Sequence, residues 1–216
     1  ESWDTSEITN MDAIFLNKIY FNIDLPWNTS SVTTMDSMFQ NAREFNGNVS
    51  NWDVSRVVDM EEMFYAANAF NQPLEWDTSS VTMMKSMFQS ASKFNANLSG
   101  WDTSRVVDMD EMFRWAESFK NDLPYTGIAR RMVGMLDGSG LFQVDKFYLD
   151  VRGLDSCNYR PYVHPHDMFS VIIYDGCTEV GARALYTLYN SFFFVSSTRR
   201  NVLELTEGTY TVDELK

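Results

Sequence analysis

The sequence of 216 residues predicts an α/β solenoid, a right-handed stack of about five strand-helix coils followed by a C-terminal α+β cap. Three observations predict it. Tryptophan recurs every 24 or 25 residues over residues 1–124, phenylalanine and methionine recur in step with it, and residues 125–216 lie outside these repeats. A constant period of this size is typical of stacked repeats in the range of leucine-rich-repeat-like coils.

Each copy of the repeat contributes the same apolar residues. The tryptophans are Trp3, Trp27, Trp52, Trp76 and Trp101. One phenylalanine position holds Phe15, Phe39, Phe64, Phe88 and Phe113, and a second holds Phe21, Phe45, Phe70, Phe94 and Phe119. Nine of the 13 methionines fill two further positions. Because one coil is too small to bury these residues, neighbouring copies are expected to share a core, with methionine filling irregular gaps.

Within a copy, the pattern predicts a short strand followed by a short helix. The β-branched residues of the segment 55–58 favour a strand in a parallel ladder. Asp59 is placed as an N-cap, with Glu62 three residues later able to complete a capping box. Met60, Met63, Phe64 and Ala67 then follow at helical spacing. Met83 occupies the Asp59 position in the fourth copy, so that helix is expected to be less well capped.

The charge is concentrated in the repeats. The chain has 17 basic and 30 acidic residues, a net charge of -13. Residues 1–124 hold 8 basic and 19 acidic residues, and residues 125–216 hold 9 and 11. This difference predicts two domains with a boundary at residue 124. The acidic charge argues against binding to nucleic acid or to anionic membranes, and no apolar run is long enough to span a membrane.

Two polar columns allow more than one interpretation. Carboxylates follow four of the tryptophans, at Asp4, Asp53, Asp77 and Asp102, and Asn28 interrupts the series. These side chains could form a row of Ca²⁺ ligands, or each could close an Asx turn with the residues that follow it. The asparagines Asn22, Asn46, Asn71 and Asn95 predict an internal ladder. We predict no cofactor and no metal.

Candidate binding residues are those that the repeat does not demand. Arg56 and Arg105 lie on the predicted strands, pointing away from the buried valines, and Tyr65, Arg114 and Trp115 lie on the helix side. Arginine, tyrosine and tryptophan are the residue types enriched in interface hot spots. A solvated face with scattered aromatic residues is an equally good interpretation.

The motif W-D-x-S-x-V-x-D-M-x-x-M-F, followed by F-N-x-x-L, resembles the BspA-like repeat family of distant leucine-rich-repeat relatives. The resemblance covers residues 1–124. This family is known from surface proteins and lipoproteins of bacteria, including mycoplasmas, and from many protists and algae. The resemblance implies an extracellular or surface-exposed adhesion or scaffold module without catalysis, and it defines no binding residues. Three N-x-[ST] sequons agree with a secretory route and mark candidate glycosylation sites at Asn28, Asn48 and Asn97.

Residues 125–216 are predicted to cap the stack. We predict helices at 127–136 and 180–189 and strands at 141–151, 168–174 and 202–205. Cys157 and Cys177 could form a disulfide in an exported protein, or remain free thiols in the cytosol. His164, His166 and the neighbouring Asp167 could bind Zn²⁺ or assist catalysis, although the intervening proline directs the two imidazoles apart.

The function predicted from these features is non-enzymatic: a binding or scaffold module of a surface or exported protein that contacts protein partners. An accessory structural subunit, docked in a larger complex through residues 125–216, is the first alternative. An enzyme or metal site confined to the same region is the second. Neither the ligand nor the compartment is defined by the sequence.

Overall fold

A computed structural model describes residues 3–121, 135–136 and 138–140, together with the backbone of four strands. The strands form one sheet: β1 (Lys146–Leu149), β2 (Ser170–Ile173), β3 (Leu203–Leu205) and β4 (Gly208–Tyr210), in the order β1-β2-β3-β4. β1 pairs with β2 and β2 with β3 in parallel, whereas β3 pairs with β4 antiparallel. The first three strands lie inside the predicted strand ranges. The predicted helix at 180–189 lies outside the described residues.

Residues 3–121 are built from five copies that contact one another in register. Single-residue parallel bridges join equivalent positions, in the series Asn10, Thr34, Asp59, Met83 and Asp108. In the third copy the bridge is at Asp59, one residue beyond the predicted strand 55–58. The described part of the repeat segment contains no strand longer than one of these bridges. The backbone turns on both sides of the bridge, because Val57 donates to the Val54 carbonyl at 2.9 Å and Met63 donates to the Met60 carbonyl at 3.3 Å.

The predicted helix that begins at Asp59 is not formed. The N–H groups of Met60, Glu62, Phe64 and Ala66 donate to carbonyls of the fourth copy at 2.8–3.0 Å, so they cannot make the i to i−4 bonds of a helix. The Met63 and Tyr65 N–H groups close successive β-turns by donating to the carbonyls of Met60 and Glu62, and the Glu61 N–H donates to Asp59 Oδ1. Glu62 and Ala66 have φ values of 52° and 53°, the left-handed conformation that a series of such turns requires.

The same two positions are left-handed in every copy. These residues are Ala13, Asn17, Ser37, Asn41, Glu62, Ala66, Ser86, Ser90, Glu111 and Trp115. None is β-branched, which is consistent with the steric cost of this conformation. A chain of β-turns therefore produces the apolar spacing that predicted a helix. Alternate N–H groups of this chain of turns bond to the neighbouring copy.

The apolar columns stack into a continuous core. Successive tryptophan rings lie 6.3–6.5 Å apart and within 11° of parallel. The rings of the first phenylalanine column are separated by 5.2–5.7 Å, and those of the second by 5.7–6.1 Å. The two phenylalanines within a copy are only 3.9–4.0 Å apart. From the second copy to the fifth, all of these phenylalanines are fully buried.

Residues 135–136 and 138–140 occupy the place of a sixth copy. The Phe113 N–H donates to the Met135 carbonyl at 2.8 Å, as the Phe88 N–H does to the carbonyl of Met112. Met135 and Leu136 are buried in the same core. Gly138 takes the left-handed conformation, with φ of 65°. The stack therefore continues past residue 124, while the predicted division into two domains, the solenoid class and its right hand remain predictions.

Candidate interaction surface

The carboxylates that follow the tryptophans close local turns. The Ser6 N–H and hydroxyl donate to Asp4 Oδ1 at 3.0 and 2.7 Å, and Ser55 makes the same two bonds to Asp53. These hydrogen bonds lower the pKa of both aspartates. Asn28 accepts equivalent bonds from Ser30. This geometry is that of the Asx turn, and no group of three or more His, Cys, Asp or Glu side chains suited to a metal occurs in the part of the chain that is described.

Other repeated polar side chains join one copy to the next. The asparagine ladder forms as predicted: each side-chain oxygen accepts a backbone N–H of the following copy at 2.8–2.9 Å. Buried threonine hydroxyls donate to backbone carbonyls of the following copy at 2.9 Å. The Nε1 groups of Trp52, Trp76 and Trp101 donate at 2.9–3.1 Å to the carbonyls of Leu25, Val49 and Leu74, which lie just before the preceding tryptophan of the series. These repeated groups are therefore used by the stack itself.

The candidate residues Tyr65, Arg114 and Trp115 lie on the turns that replace the predicted helix. We define the turn ridge as the surface formed by three positions of each copy. In the third copy these positions hold Glu62, Tyr65 and Ala66, and in the fifth copy they hold Glu111, Arg114 and Trp115. Tyr65 is half-buried, and Trp115 keeps 50% of its surface exposed. Tyr65 and Arg114 are equivalent residues two copies apart, about 10 Å at the usual spacing between strands.

Arg114 and Trp115 form a fixed pair. The guanidinium carbon lies 4.5 Å from the centre of the Trp115 ring, a cation–π arrangement, and an Arg114 terminal nitrogen donates to Glu111 Oε1 at 2.7 Å. Trp115 also contacts Gly138: a Cβ added to that glycine would lie 2.3 Å from Trp115 Cδ1. The indole therefore has a structural role, because it joins the fifth copy to residues 138–140 while one half of it remains exposed.

Arg56 and Arg105 lie elsewhere, in the turn that follows each Trp-Asp pair. Both are exposed. The positive charge of Arg56 contributes to the lowered pKa of Asp53, after the hydrogen bonds from Ser55. The structure therefore places three of the five predicted binding residues, Tyr65, Arg114 and Trp115, on the ridge. It places Arg56 and Arg105 in a different column of the repeat.

The ridge and its border are acidic. Burial, followed by the charges of Asp36 and Glu61, raises the pKa of Asp59, and burial followed by Glu61 raises that of Glu62. Lys85 Nζ lies 2.9 Å from Glu61 Oε1, which raises the pKa of the lysine. Burial is the larger cause of both carboxylate shifts, and the charges of neighbouring carboxylates add to it.

Two features of the surface were missed by the sequence interpretation. From the sequence, the repeats are expected to end at residue 124 and a helix is predicted at 127–136, although an offset of 23 residues aligns Met112 with Met135 and Trp115 with Gly138. The first copy also carries an apolar groove of about 880 Å³, whose lining includes Trp3 and Tyr20. Trp3 is 75% exposed and Tyr20 is 81% exposed. The unusual Ile-Tyr pair at 19–20 was the signal for this groove.

Asn28, Asn48 and Asn97 are exposed, and each side chain accepts the backbone N–H of the residue two positions later. Their glycosylation remains a prediction. The pair Cys157 and Cys177 and the two histidines, His164 and His166, lie outside the described residues. No helix within the described ranges has the length and apolar character needed to cross a bilayer.

Comparison with known proteins gives one family. A family model described as "Mycoplasma protein of unknown function, DUF285" matches residues 1–75 and again residues 74–146. The second match extends beyond residue 124 and includes residues 135–136 and 138–140, which occupy the place of a sixth copy. No curated protein and no solved structure gives a significant match.

Proposed function

The chain belongs to this DUF285 family, and we propose that its repeats form a non-enzymatic protein-binding module whose binding surface is the turn ridge. The carrying observation is the Arg114–Trp115 pair. The ring is half exposed and fixed on one side by the sixth copy, and the guanidinium is held against it by Glu111. A rigid aromatic residue beside an arginine is the usual composition of an interface hot spot.

The rest of the repeat supports this proposal. The aromatic columns, the asparagine ladder and the buried threonines are used by contacts between copies, so they specify the scaffold. The ridge changes in residue type from copy to copy while its backbone stays the same: Tyr65 is replaced by Gln89 in the fourth copy and by Arg114 in the fifth. A constant backbone with variable side chains is how repeat proteins present binding surfaces.

The charge of the ridge supports a basic partner. Asp59, Glu61 and Glu62 lie close together in the third copy, where burial is the main cause of the raised pKa values of Asp59 and Glu62 and the charge of Glu61 adds to it. A partner that brings lysine or arginine to this face would relieve the repulsion, and Trp115 would supply an apolar anchor beside it. We therefore propose a protein partner with a basic contact surface.

We further propose that the module acts at a cell surface or in another exported compartment, as part of a leucine-rich-repeat-like solenoid. The resemblance of the motif to BspA-like repeats supports both proposals, because that family is known from surface proteins and lipoproteins. The alternatives in which residues 125–216 dock into a complex or hold an active site concern a region of which the structure describes only residues 135–136 and 138–140 and the backbone of β1 to β4.

Site-specific photo-crosslinking tests the binding surface. A benzophenone amino acid is placed at Tyr65 in the full chain and, as a control, at the exposed residue Asn48. After exposure to surface proteins of the source cells, position 65 should give a discrete adduct that Trp115→Ala removes. The crosslinked protein, once identified by mass spectrometry, is titrated directly, and Trp115→Ala should weaken binding at least tenfold. Equal adducts from both positions would refute the proposal.

A further inference from the structure

One asparagine of the ladder differs from the other three in the residue that follows it. Each ladder asparagine accepts a backbone N–H of the following copy through its side-chain oxygen, at 2.8–2.9 Å. The residues after Asn22, Asn46, Asn71 and Asn95 are, in that order, Ile23, Gly47, Gln72 and Ala96. Within the ladder, only Asn46 is therefore followed by a backbone nitrogen that no neighbouring side chain shields.

The packing of the second copy on the first requires this glycine. A Cβ added to Gly47 would clash with the carbonyl oxygen of Ile23, a backbone atom, and would lie 2.8 Å from Phe45 Cε2. Asn46 itself is partly exposed. Within the described part of the chain, the Gly47 N–H donates to no backbone carbonyl. The fold therefore holds an Asn-Gly pair whose side-chain amide meets water and whose next nitrogen is not engaged.

An Asn-Gly pair reacts with water without an enzyme. The Gly47 nitrogen gives its proton to hydroxide and attacks Asn46 Cγ, so that a new N–C bond forms and the negative charge moves to Oδ1. The Cγ–Nδ2 bond then breaks, and ammonia leaves with a proton from water. Water opens the resulting succinimide ring at either of its carbonyls, which yields aspartate or isoaspartate. The net change is the gain of one water and the loss of one ammonia, with no oxidation.

The ladder supplies a donor for the charge that develops in this reaction. The Asn71 N–H donates to Asn46 Oδ1 at 2.9 Å, and Oδ1 is the atom that becomes negative. A backbone donor fixed at a developing oxyanion lowers the barrier to its formation. We propose that Asn46 is a selective site of spontaneous deamidation in the folded chain, and that the isoaspartate product loosens the junction between the first and second copies. The proposal does not depend on the turn ridge.

The two products have different effects on the stack. The Asn46 N–H donates to Asn22 Oδ1 at 2.9 Å and the Asn48 N–H donates to Asp24 Oδ1 at 2.8 Å, so both ends of this short segment are fixed to the first copy. Isoaspartate adds one carbon, a bond of about 1.5 Å, to the backbone between these two N–H groups. The segment is then too long to keep both bonds. Ordinary aspartate leaves the backbone unchanged and keeps an acceptor for the Asn71 N–H.

Peptide mapping of the full-length chain tests the site. After incubation at mildly alkaline pH in water enriched in heavy oxygen, mass spectrometry measures the conversion of all four ladder asparagines. Asn46 should convert at least tenfold faster than the other three. Ala96→Gly creates a second Asn-Gly pair at the equivalent position two copies later, and Asn95 should then convert at a rate similar to that of Asn46. Conversion of Asn22 and Asn71 in the same variant reports any general loosening caused by the substitution.

Amide hydrogen exchange tests the consequence for the stack. The isoaspartate form, separated by chromatography, should exchange the Asn48 amide hydrogen at least tenfold faster than the parent chain. Asn46→Asp carries the ordinary product and serves as the matched control, with the exchange rate of the parent. The proposal is overturned if Asn46 converts no faster than the other ladder asparagines, if Asn95 stays unreactive in Ala96→Gly, or if the isoaspartate form exchanges like Asn46→Asp.

Discussion

The clearest quantitative test uses the one copy that lacks a buried hydroxyl. Thr29 and Thr78 are each 1% exposed, and each Oγ1 donates to a carbonyl of the following copy at 2.9 Å, those of Asp53 and Asp102. The third copy has Val54 at this position, also 1% exposed. If the copies superimpose, Val54→Thr places a hydroxyl within reach of the Asp77 carbonyl.

The magnitude follows from two terms. Exchanging a buried methyl for a hydroxyl costs about 0.8 kcal/mol of apolar burial, and a new hydrogen bond returns about 1 kcal/mol. Val54→Thr is therefore expected to leave the free energy of unfolding within about 0.5 kcal/mol of the parent value. The same change at Val57, which is 0% exposed in a column that has no hydroxyl in any copy, should cost about 2–4 kcal/mol, because its hydroxyl is buried without a partner.

Equilibrium unfolding in urea measures both variants, followed by tryptophan fluorescence and far-UV circular dichroism. If the free energy of unfolding falls with urea concentration at the same slope in both variants, the same amount of surface is exposed on unfolding. The free energies of unfolding of the two variants can then be compared. If Val54→Thr destabilises the protein as much as Val57→Thr does, the third copy does not repeat the geometry of its neighbours. The register of hydrogen bonds argued for the whole stack would then be refuted.

Three further outcomes follow from local geometry. Ala66→Gly should raise the free energy of unfolding by up to about 1 kcal/mol, because Ala66 is left-handed. Ala69→Gly should lower the free energy of unfolding by about 0.5–1 kcal/mol. Urea midpoints of the two variants that move in the same direction would contradict this. Asp59→Asn keeps the acceptor for the Glu61 N–H. Because the pKa of Asp59 is raised in the folded state, the parent chain loses stability as the pH rises through that pKa. The variant should therefore be more stable at pH 7 by a few tenths of a kcal/mol, an advantage that disappears in acid, as thermal unfolding across pH will show. Gly138→Ala should cost about 1–3 kcal/mol and less in a Trp115→Ala background, and a double-mutant cycle with no coupling would disprove their contact.

The sequence predicted the core well because stacked copies repeat their apolar residues whatever the backbone does between them. It failed at the helix because Met60, Met63, Phe64 and Ala67 have a spacing that a chain of turns shares with a helix. The deciding information was the left-handed conformation of Glu62 and Ala66, which residue type does not reveal. An N-cap at Asp59 was a sound inference, since its carboxylate accepts the Glu61 N–H at 2.9 Å, but the same bond also starts a turn.

The candidate site was predicted in part for a similar reason. Tyr65, Arg114 and Trp115 depart from the repeat consensus, and that departure is visible in the sequence. The second contact of Trp115 was hidden, because the sixth copy has lost its tryptophan and is offset by 23 residues. A search by the tryptophan and phenylalanine columns alone stops at Phe119, whereas the glycine at 138 becomes meaningful only when the left-handed position of Trp115 is known.

The direction of the bonds between copies has a mechanical consequence. The chain enters at one end of the stack and leaves the described repeats at the other, so tension applied through the chain acts across successive junctions. Each junction carries at least six backbone hydrogen bonds, four of them the alternate ones, and at least four ring contacts, and a detached copy retains only its own turns. Extension should therefore proceed in steps, each releasing one copy of 24 or 25 residues, about 80 Å of chain. A protein built in this way lengthens gradually under load while its remaining copies stay folded.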